Sequence, residues 1–333
     1  MKAVIPLAGA GTKLRPHTYT QPKALIPIAG KTILSVIIDQ LLTGGVDEFI
    51  FVIGYLGEKI QDYVQKSYPD LKCHFVHQND RKGTGHAVWL TKNVVAGDEI
   101  IILFGDTICD FDLPAILNSD MSEAGVRKVE NPGAFGVAEI DAQQRITRIV
   151  ERPLIPKSNM ALVGIFKIKE TALLFETLDE CIQQQDIAHD GEFHLTDVLQ
   201  KSIQKGMHLR AFKVNNWFDC GKKDTLLATN ATLLKSYVQD TDWKEQFPNA
   251  VVIPPVSISE GCNIQNSIIG PNVTIGENTS IQSSIVSNSI IGSYAVLEEV
   301  VLKASIIGSD AYVRGMSQSL NIGDNTDIDF GNK

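Results

Sequence analysis

The last quarter of the chain repeats itself, and a repeat narrows the possible folds more than any composition does. Isoleucine–glycine pairs fall at Ile269-Gly270, Ile275-Gly276, Ile291-Gly292, Ile307-Gly308 and Ile322-Gly323. Apolar residues recur six positions apart, from Ile258 to Ile264, Ile269 to Ile275 to Ile281, Ile291 to Leu297, and Ile307 to Val313. Asn, Ser and Gly fill the gaps, and helix signals vanish. A six-residue period predicts a left-handed parallel β-helix over residues 250–333, in which each hexapeptide forms one flat side and one apolar residue per side stacks inward. An ordinary antiparallel sandwich would not hold that register.

The rest reads differently. Residues 2–8, 49–55, 74–78 and 99–106 are continuous apolar runs, and residues 32–43, 57–67 and 84–94 have helical spacing between them. Strands that are apolar throughout, alternating with helices, predict an α/β unit over residues 1–240: a Rossmann-like, mostly parallel sheet with helices on both faces. Ligands of such sheets bind beyond the carboxyl ends of the strands. Residues 225–249 read as a helix and linker. A chain of 333 residues matches about two domains on size alone.

Composition excludes several classes. No apolar run approaches the ~20 residues that span a bilayer, and the N-terminus lacks a signal-peptide pattern. Cys73, Cys109, Cys181, Cys220 and Cys262 are scattered and form no CxxC pair, which predicts reduced cysteines, a cytoplasmic setting and no zinc site. A net charge of −9 argues against a nucleic-acid binder.

The first chemical signal is the run from Leu7 through Gly9, Ala10, Gly11, Thr12, Lys13, Leu14 and Arg15 to Pro16, directly after a strand. Glycines there let backbone N–H groups approach an anion. Leu14 stands where a dinucleotide fingerprint needs its third glycine, and the Walker pattern is absent. Lys13, Arg15 and Lys23 supply the positive charge that an acidic protein needs to hold a triphosphate.

The string GAGTKLRP, followed after five residues by PKALIPIAGKTIL, resembles the opening signature of the sugar-1-phosphate nucleotidylyltransferases, which include glucose-1-phosphate thymidylyl- and uridylyltransferases. The spacing AGxGT is closer to the uridylyl form. The resemblance continues over about residues 2–225. It implies that the loop wraps the nucleotide phosphates, that Lys13 and Lys23 bind and polarise them, and that Gln78, Gly83 and Thr84 read the base. FGD (104–106), Phe135-Gly136-Val137, Glu151-Arg152-Pro153, Val163-Gly164, Gly191-Glu192 with Thr196-Asp197, and Trp217-Phe218-Asp219-Cys220-Gly221 match further segments in order. Gly136, Glu151, Arg152, Gly164 and Trp217 are thereby expected at the sugar phosphate. Two positions depart from the family: Lys13 stands for its usual arginine and Arg152 for its usual lysine. Both keep the charge, although lysine lacks the bidentate fork of arginine.

Asp106 and Asp219 each follow an apolar strand, and in one parallel sheet both strand ends could face one cleft. Two carboxylates with phosphate oxygens suit Mg²⁺. The implied reaction is attack of a sugar-1-phosphate oxygen on the α-phosphorus of a nucleoside triphosphate. Its nucleophile is already anionic, so the protein's task is positioning and charge neutralisation. The expected pair is dTTP or UTP with glucose-1-phosphate, with adenine as an open alternative at the base. Two other readings stand beside this one: an inactive, substrate-binding relative, and a bifunctional enzyme with acyltransferase activity in the β-helix. The second needs a histidine base there, and His17, His74, His77, His86, His189, His194 and His208 all lie before the repeats. The β-helix is therefore expected to assemble a homo-oligomer.

Overall fold

The computed structural model describes residues 1–188, 190–236 and 241–315. His189, the end of the predicted 1–240 span and residues 316–333, with the Ile322-Gly323 pair, lie outside the described residues. The chain divides into two compact units, the first running from Met1 to Ser236.

In chain order the first unit contains β1 (Lys2–Pro6), α1 (Ile33–Thr43), β2 (Glu48–Ile53), α2 (Gly57–Ser67), β3 (Cys73–His77), α3 (Thr84–Trp89), β4 (Ile100–Leu103) and β5 (Thr107–Asp110). There follow β6 (Ser122–Lys128), β7 (Gly136–Ile140), β8 (Ile146–Glu151), β9 (Met160–Ile168), α4 (Thr171–Gln183), α5 (Leu195–Gln204), β10 (Leu209–Lys213), β11 (Asn216–Asp219) and α6 (Lys223–Ser236). The main sheet has the order β8-β7-β9-β4-β1-β2-β3, with β6 and β10 continuing from β9. Strands β4, β1, β2 and β3 are mutually parallel. Strand β9 runs antiparallel to β4, β6 and β7. The sheet is thus a parallel half joined to an antiparallel half, because β9 returns beside β4 in the opposite direction.

Sequence accounts for the parallel half directly. Val4, Ile50, Val52, Ile100 and Ile102 share a core with Val88 of α3, Leu174 and Leu178 of α4, and Leu195, Val198 and Leu199 of α5. Their strand neighbours Ile5, Phe49, Phe51 and Ile101 point the other way and are also fully buried. Both faces are therefore covered, which is why these strands read as unbroken apolar runs. Helix α1 starts at a reciprocal cap: Ser35 N donates to Thr32 Oγ1 at 3.0 Å, and Thr32 N donates to Ser35 Oγ at 2.9 Å.

The second unit is the left-handed parallel β-helix: among the described residues, three four-stranded parallel sheets of short strands surround one core. Ile264, Ile281 and Leu297 stack on one side, Ile269 and Val286 on the next, and Ile275 and Ile291 on the third. The corners carry left-handed backbone at Asn266, Asn272, Asn278, Ser283, Asn288, Tyr294, Glu299, Ala304 and Asp310. Asparagine tolerates that conformation better than most residues, which explains its frequency in the repeats.

Candidate active site

The glycine loop follows β1 at its carboxyl end. Leu7 N donates to Val52 O at 2.7 Å, which fixes the start of the loop beside β2. Gly11 has φ 61°, and a Cβ there would stand 2.9 Å from Thr18 Cγ2 and 3.1 Å from Lys23 Cβ. The Thr18 hydroxyl donates to Gly11 O at 2.9 Å and holds the turn. Ala10 and Leu14 are buried beneath the loop, while Gly9, Thr12 and Lys13 are exposed. Lys13 has no ion-pair partner among the described residues.

Lys23 is committed elsewhere. Its Nζ lies 2.6 Å from Asp106 Oδ2, with the two side chains 16% and 40% exposed. Asp106 follows β4, and Gly105 presses against the loop so closely that a Cβ would lie 2.1 Å from Leu7 Cδ2. Asp219 ends β11 and pairs opposite Thr107 of β5. Cys220 N donates to Asp106 O at 3.0 Å. The two aspartates therefore occupy adjoining chain segments at one end of the sheet. The route differs from the sequence expectation. Asp219 does not close a strand of the parallel sheet; it closes a separate two-stranded antiparallel ribbon, β11 with β5. The apolar run is interrupted at Asn215, whose N–H donates to Asp110 O at 3.0 Å where the chain passes from β10, paired with β6, to β11, paired with β5.

Asp219 Oδ1 accepts from Gly221 N at 2.9 Å. Between the aspartates, burial pushes the Cys220 thiol up to about 12, so it stays protonated and is no nucleophile. Among the described residues no cluster of three or more His, Cys, Asp or Glu could hold a metal. Two hard carboxylates fit an ion that takes its remaining ligands from water and phosphate oxygens, as Mg²⁺ does.

The expected base-reading residues also meet. Gln78 is buried, follows β3, and its N–H donates to Ile53 O at 2.8 Å. Its side-chain Nε2 donates to Gly83 O at 3.0 Å and lies 3.0 Å from His86 Nδ1. Thr84 Oγ1 accepts from Leu195 N at 3.0 Å. Further bonds, Gly85 N to Phe193 O at 2.7 Å and Phe193 N to Lys82 O at 2.8 Å, zip this segment to residues 191–195.

That zipped partner leads to the expected sugar-phosphate residues. Glu151 pairs with Gly136 across β8 and β7, and the Thr196 hydroxyl donates to Glu151 Oε2 at 2.8 Å. Arg152 extends from φ 41° with its side chain 60% exposed, 3.4 Å from Glu151 Oε1 and 3.7 Å from Asp190 Oδ2. His194 Nε2 lies 2.9 Å from Asp190 Oδ2. Burial would raise the Asp190 carboxyl, but the His194 bond, the Glu192 N–H and the Arg152 charge bring it below its usual value. Burial, reinforced by Glu151 and Asp190, raises Asp197. Trp217 packs edge-on against Phe135 with centroids 4.8 Å apart, and its buried indole N–H has no acceptor among the described residues. Gly164 lies at an irregularity of β9; its carbonyl accepts from Phe104 N at 3.0 Å, and the residue packs against the Phe104 ring, two positions before Asp106. Sequence reasoning missed Asp190 and His86, which have no spacing signal of their own; Phe135 belongs to a matched segment, but its contact with Trp217 has no sequence signal.

The model of the family described as nucleotidyl transferase matches residues 2–236. The bifunctional protein GlmU of Methanocaldococcus jannaschii is 37% identical over 262 residues, 78% of this chain and 61% of that protein. This chain thus spans about three fifths of the length of that relative. Glucose-1-phosphate thymidylyltransferase of Streptomyces griseus is 28% identical over 330 residues, 96% of this chain and 89% of that one. A UDP-glucose pyrophosphorylase solved in complex with UDP-glucose shares the fold, with a TM-score of 0.61 at 23% identity over 71% of this chain and 98% of its own.

Proposed function

We propose, from the premise that the chain belongs to the nucleotidyl transferase family, that it transfers a nucleoside monophosphate from a triphosphate to a sugar 1-phosphate, forming a nucleotide sugar and pyrophosphate. The observation that carries this reading is the meeting of the glycine loop, the Lys23–Asp106 pair and Asp219 at one end of the parallel strands. A sugar-phosphate oxygen forms a bond to the α-phosphorus while the bond from that phosphorus to the bridging oxygen breaks. No proton needs removal from the nucleophile. Lys13, exposed on the loop, and Lys23, beneath it, hold the phosphates. Arg152 binds the sugar phosphate, Glu151 and the Gly136 backbone read sugar hydroxyls, and the orphan Trp217 N–H takes a substrate oxygen, since a buried donor without a partner costs about 1–3 kcal/mol. Mg²⁺ on Asp106 and Asp219 would supply charge neutralisation at the reacting phosphates.

The favoured pair is dTTP or UTP with glucose-1-phosphate, supported by the Gln78–Gly83 segment and by the likeness to the Streptomyces glucose-1-phosphate thymidylyltransferase. The β-helix serves assembly: Val251, Ile268, Ile285 and Val301 align in register and are exposed along one flat side, a surface suited to a second copy of the chain. Absence of any histidine after His208 weighs against acyl transfer by this segment. The test is product analysis across four triphosphates and several hexose 1-phosphates. UDP- or dTDP-glucose should dominate; a guanine or adenine product in excess would refute the base assignment.

A further inference from the structure

We propose that His86 is a positioning residue for the nucleobase: it locks the Gln78 side chain so that only its oxygen faces the base, and the nucleotide accepted must present an N–H there, as uracil and thymine do and cytosine does not. This rests on the nucleotidyl-transfer reading above and deepens it.

The geometry leaves one arrangement of the amide. Gly83 O can only accept, so the group 3.0 Å from it on Gln78 is the NH₂. The second N–H of the same nitrogen points to His86 Nδ1 at 3.0 Å, which accepts only when unprotonated. Both donors are then spent inside the protein, and Oε1 accepts no hydrogen bond among the described residues. The adjacent Gly83 N–H is likewise without a partner among the described residues. An acceptor beside a donor complements the N3–H and a carbonyl of uracil or thymine. Cytosine N3 carries a lone pair that would face Oε1.

The imidazole is held in place independently. It stacks on Trp89 with centroids 5.6 Å apart, and Trp89 Nε1 donates to Asp179 Oδ1 at 2.8 Å. Asp179 is further engaged by Lys92. Of the charged groups around the ring, Lys82 disfavours its protonation and Asp80 favours it; Glu192, on the zipped 191–195 segment, stands beside Gly83. Burial, the largest influence, together with Lys82 holds the imidazole below its usual value, so it is neutral at pH 7. In acid, a protonated Nδ1 would face the Gln78 NH₂ donor to donor and unseat the amide.

The test is steady-state kinetics from about pH 5 to 8 with UTP, dTTP and CTP for the wild type, His86→Asn and His86→Leu. Asparagine keeps an acceptor near Nδ1 that does not titrate; leucine removes it. The wild-type UTP KM should climb at the acid end, while any acid dependence of the sugar-phosphate KM, whose phosphate itself titrates at about pH 6, should be the same in wild type and variants. His86→Asn should abolish that climb and keep the neutral-pH KM. His86→Leu should raise the UTP KM about tenfold, the effect of one lost hydrogen bond, and narrow the UTP-over-CTP preference. If the leucine variant does not fold, the asparagine pH profile decides alone. An acid climb unchanged in His86→Asn, or a wild type that takes CTP as well as UTP, overturns the proposal while the transferase reading stands. A wild type without nucleotidyl transfer overturns the reading on which it rests.

Discussion

Replacing Gly83 with alanine should damage both stability and nucleotide binding. The residue sits at φ 94° and ψ 177°, a region essentially reserved for glycine, and placing an L-residue there costs about 1–3 kcal/mol. A Cβ would also lie 2.6 Å from Phe193 O and 2.9 Å from Phe193 N, both backbone atoms that cannot swing aside. Relieving that clash means parting the bonds that zip residues 82–85 to Phe193. Together these give a loss of about 2–4 kcal/mol. For a unit of this size each kcal/mol lowers Tm by roughly 2–4 °C, so a fall of about 4–16 °C is expected. The UTP KM should rise severalfold because Gly83 O anchors Gln78. Gly97→Ala is the control: its φ is 87°, but nothing lies within 4 Å of the new Cβ. It should cost about 1 kcal/mol and leave KM alone. Calorimetry and kinetics on both variants check this. A Gly83→Ala Tm within about 2 °C of wild type, with unchanged KM, would refute the close-approach argument.

Arg152→Ala should raise the sugar-phosphate KM about tenfold with little change in Tm, because the side chain is mostly exposed; an unchanged KM would remove Arg152 from the site. Asp197 has a raised folded-state pKa, so the native protein binds its proton more tightly than the unfolded chain does, and stability falls as pH rises from the ordinary carboxyl range through the raised value. Asp197→Asn should therefore raise Tm at pH 7, and a lower Tm would contradict the burial argument. In the β-helix, Ile281 is fully buried at the centre of its stack, and Ile281→Ala should destabilise that unit by about 2–5 kcal/mol, read by chemical denaturation.

What was legible in the sequence follows from how local its cause is. The strands of the parallel half announce themselves because both their faces are buried. The β-helix announces itself because one apolar residue per side must point inward. Its observed coils are shorter than three hexapeptides, however: Ile264 stacks on Ile281, 17 positions later, and Ile281 on Leu297, 16 later. Val286, five positions after Ile281, therefore escapes a strict six-residue count although it is fully buried. The stretch 84–94 reads as one helix, yet it splits into Thr84–Trp89 and Lys92–Val95, where the Thr91 hydroxyl donates to Val88 O at 2.7 Å. The ribbon carrying Asp219 was hidden for a different reason: it depends on long-range pairing with β5, which no local period records. His86 was invisible for the same reason, because its role exists only through Gln78 and Trp89.

The most direct test of the account is pyrophosphate release from UTP or dTTP by the purified chain, with and without glucose-1-phosphate and with Mg²⁺ or excess chelator. Release should require both the sugar phosphate and the metal, and Asp106→Ala or Asp219→Ala should each lower it by about 10²–10³ with the fold intact by circular dichroism. Release that persists without sugar phosphate, full activity in chelator, or full activity in both aspartate variants would contradict it.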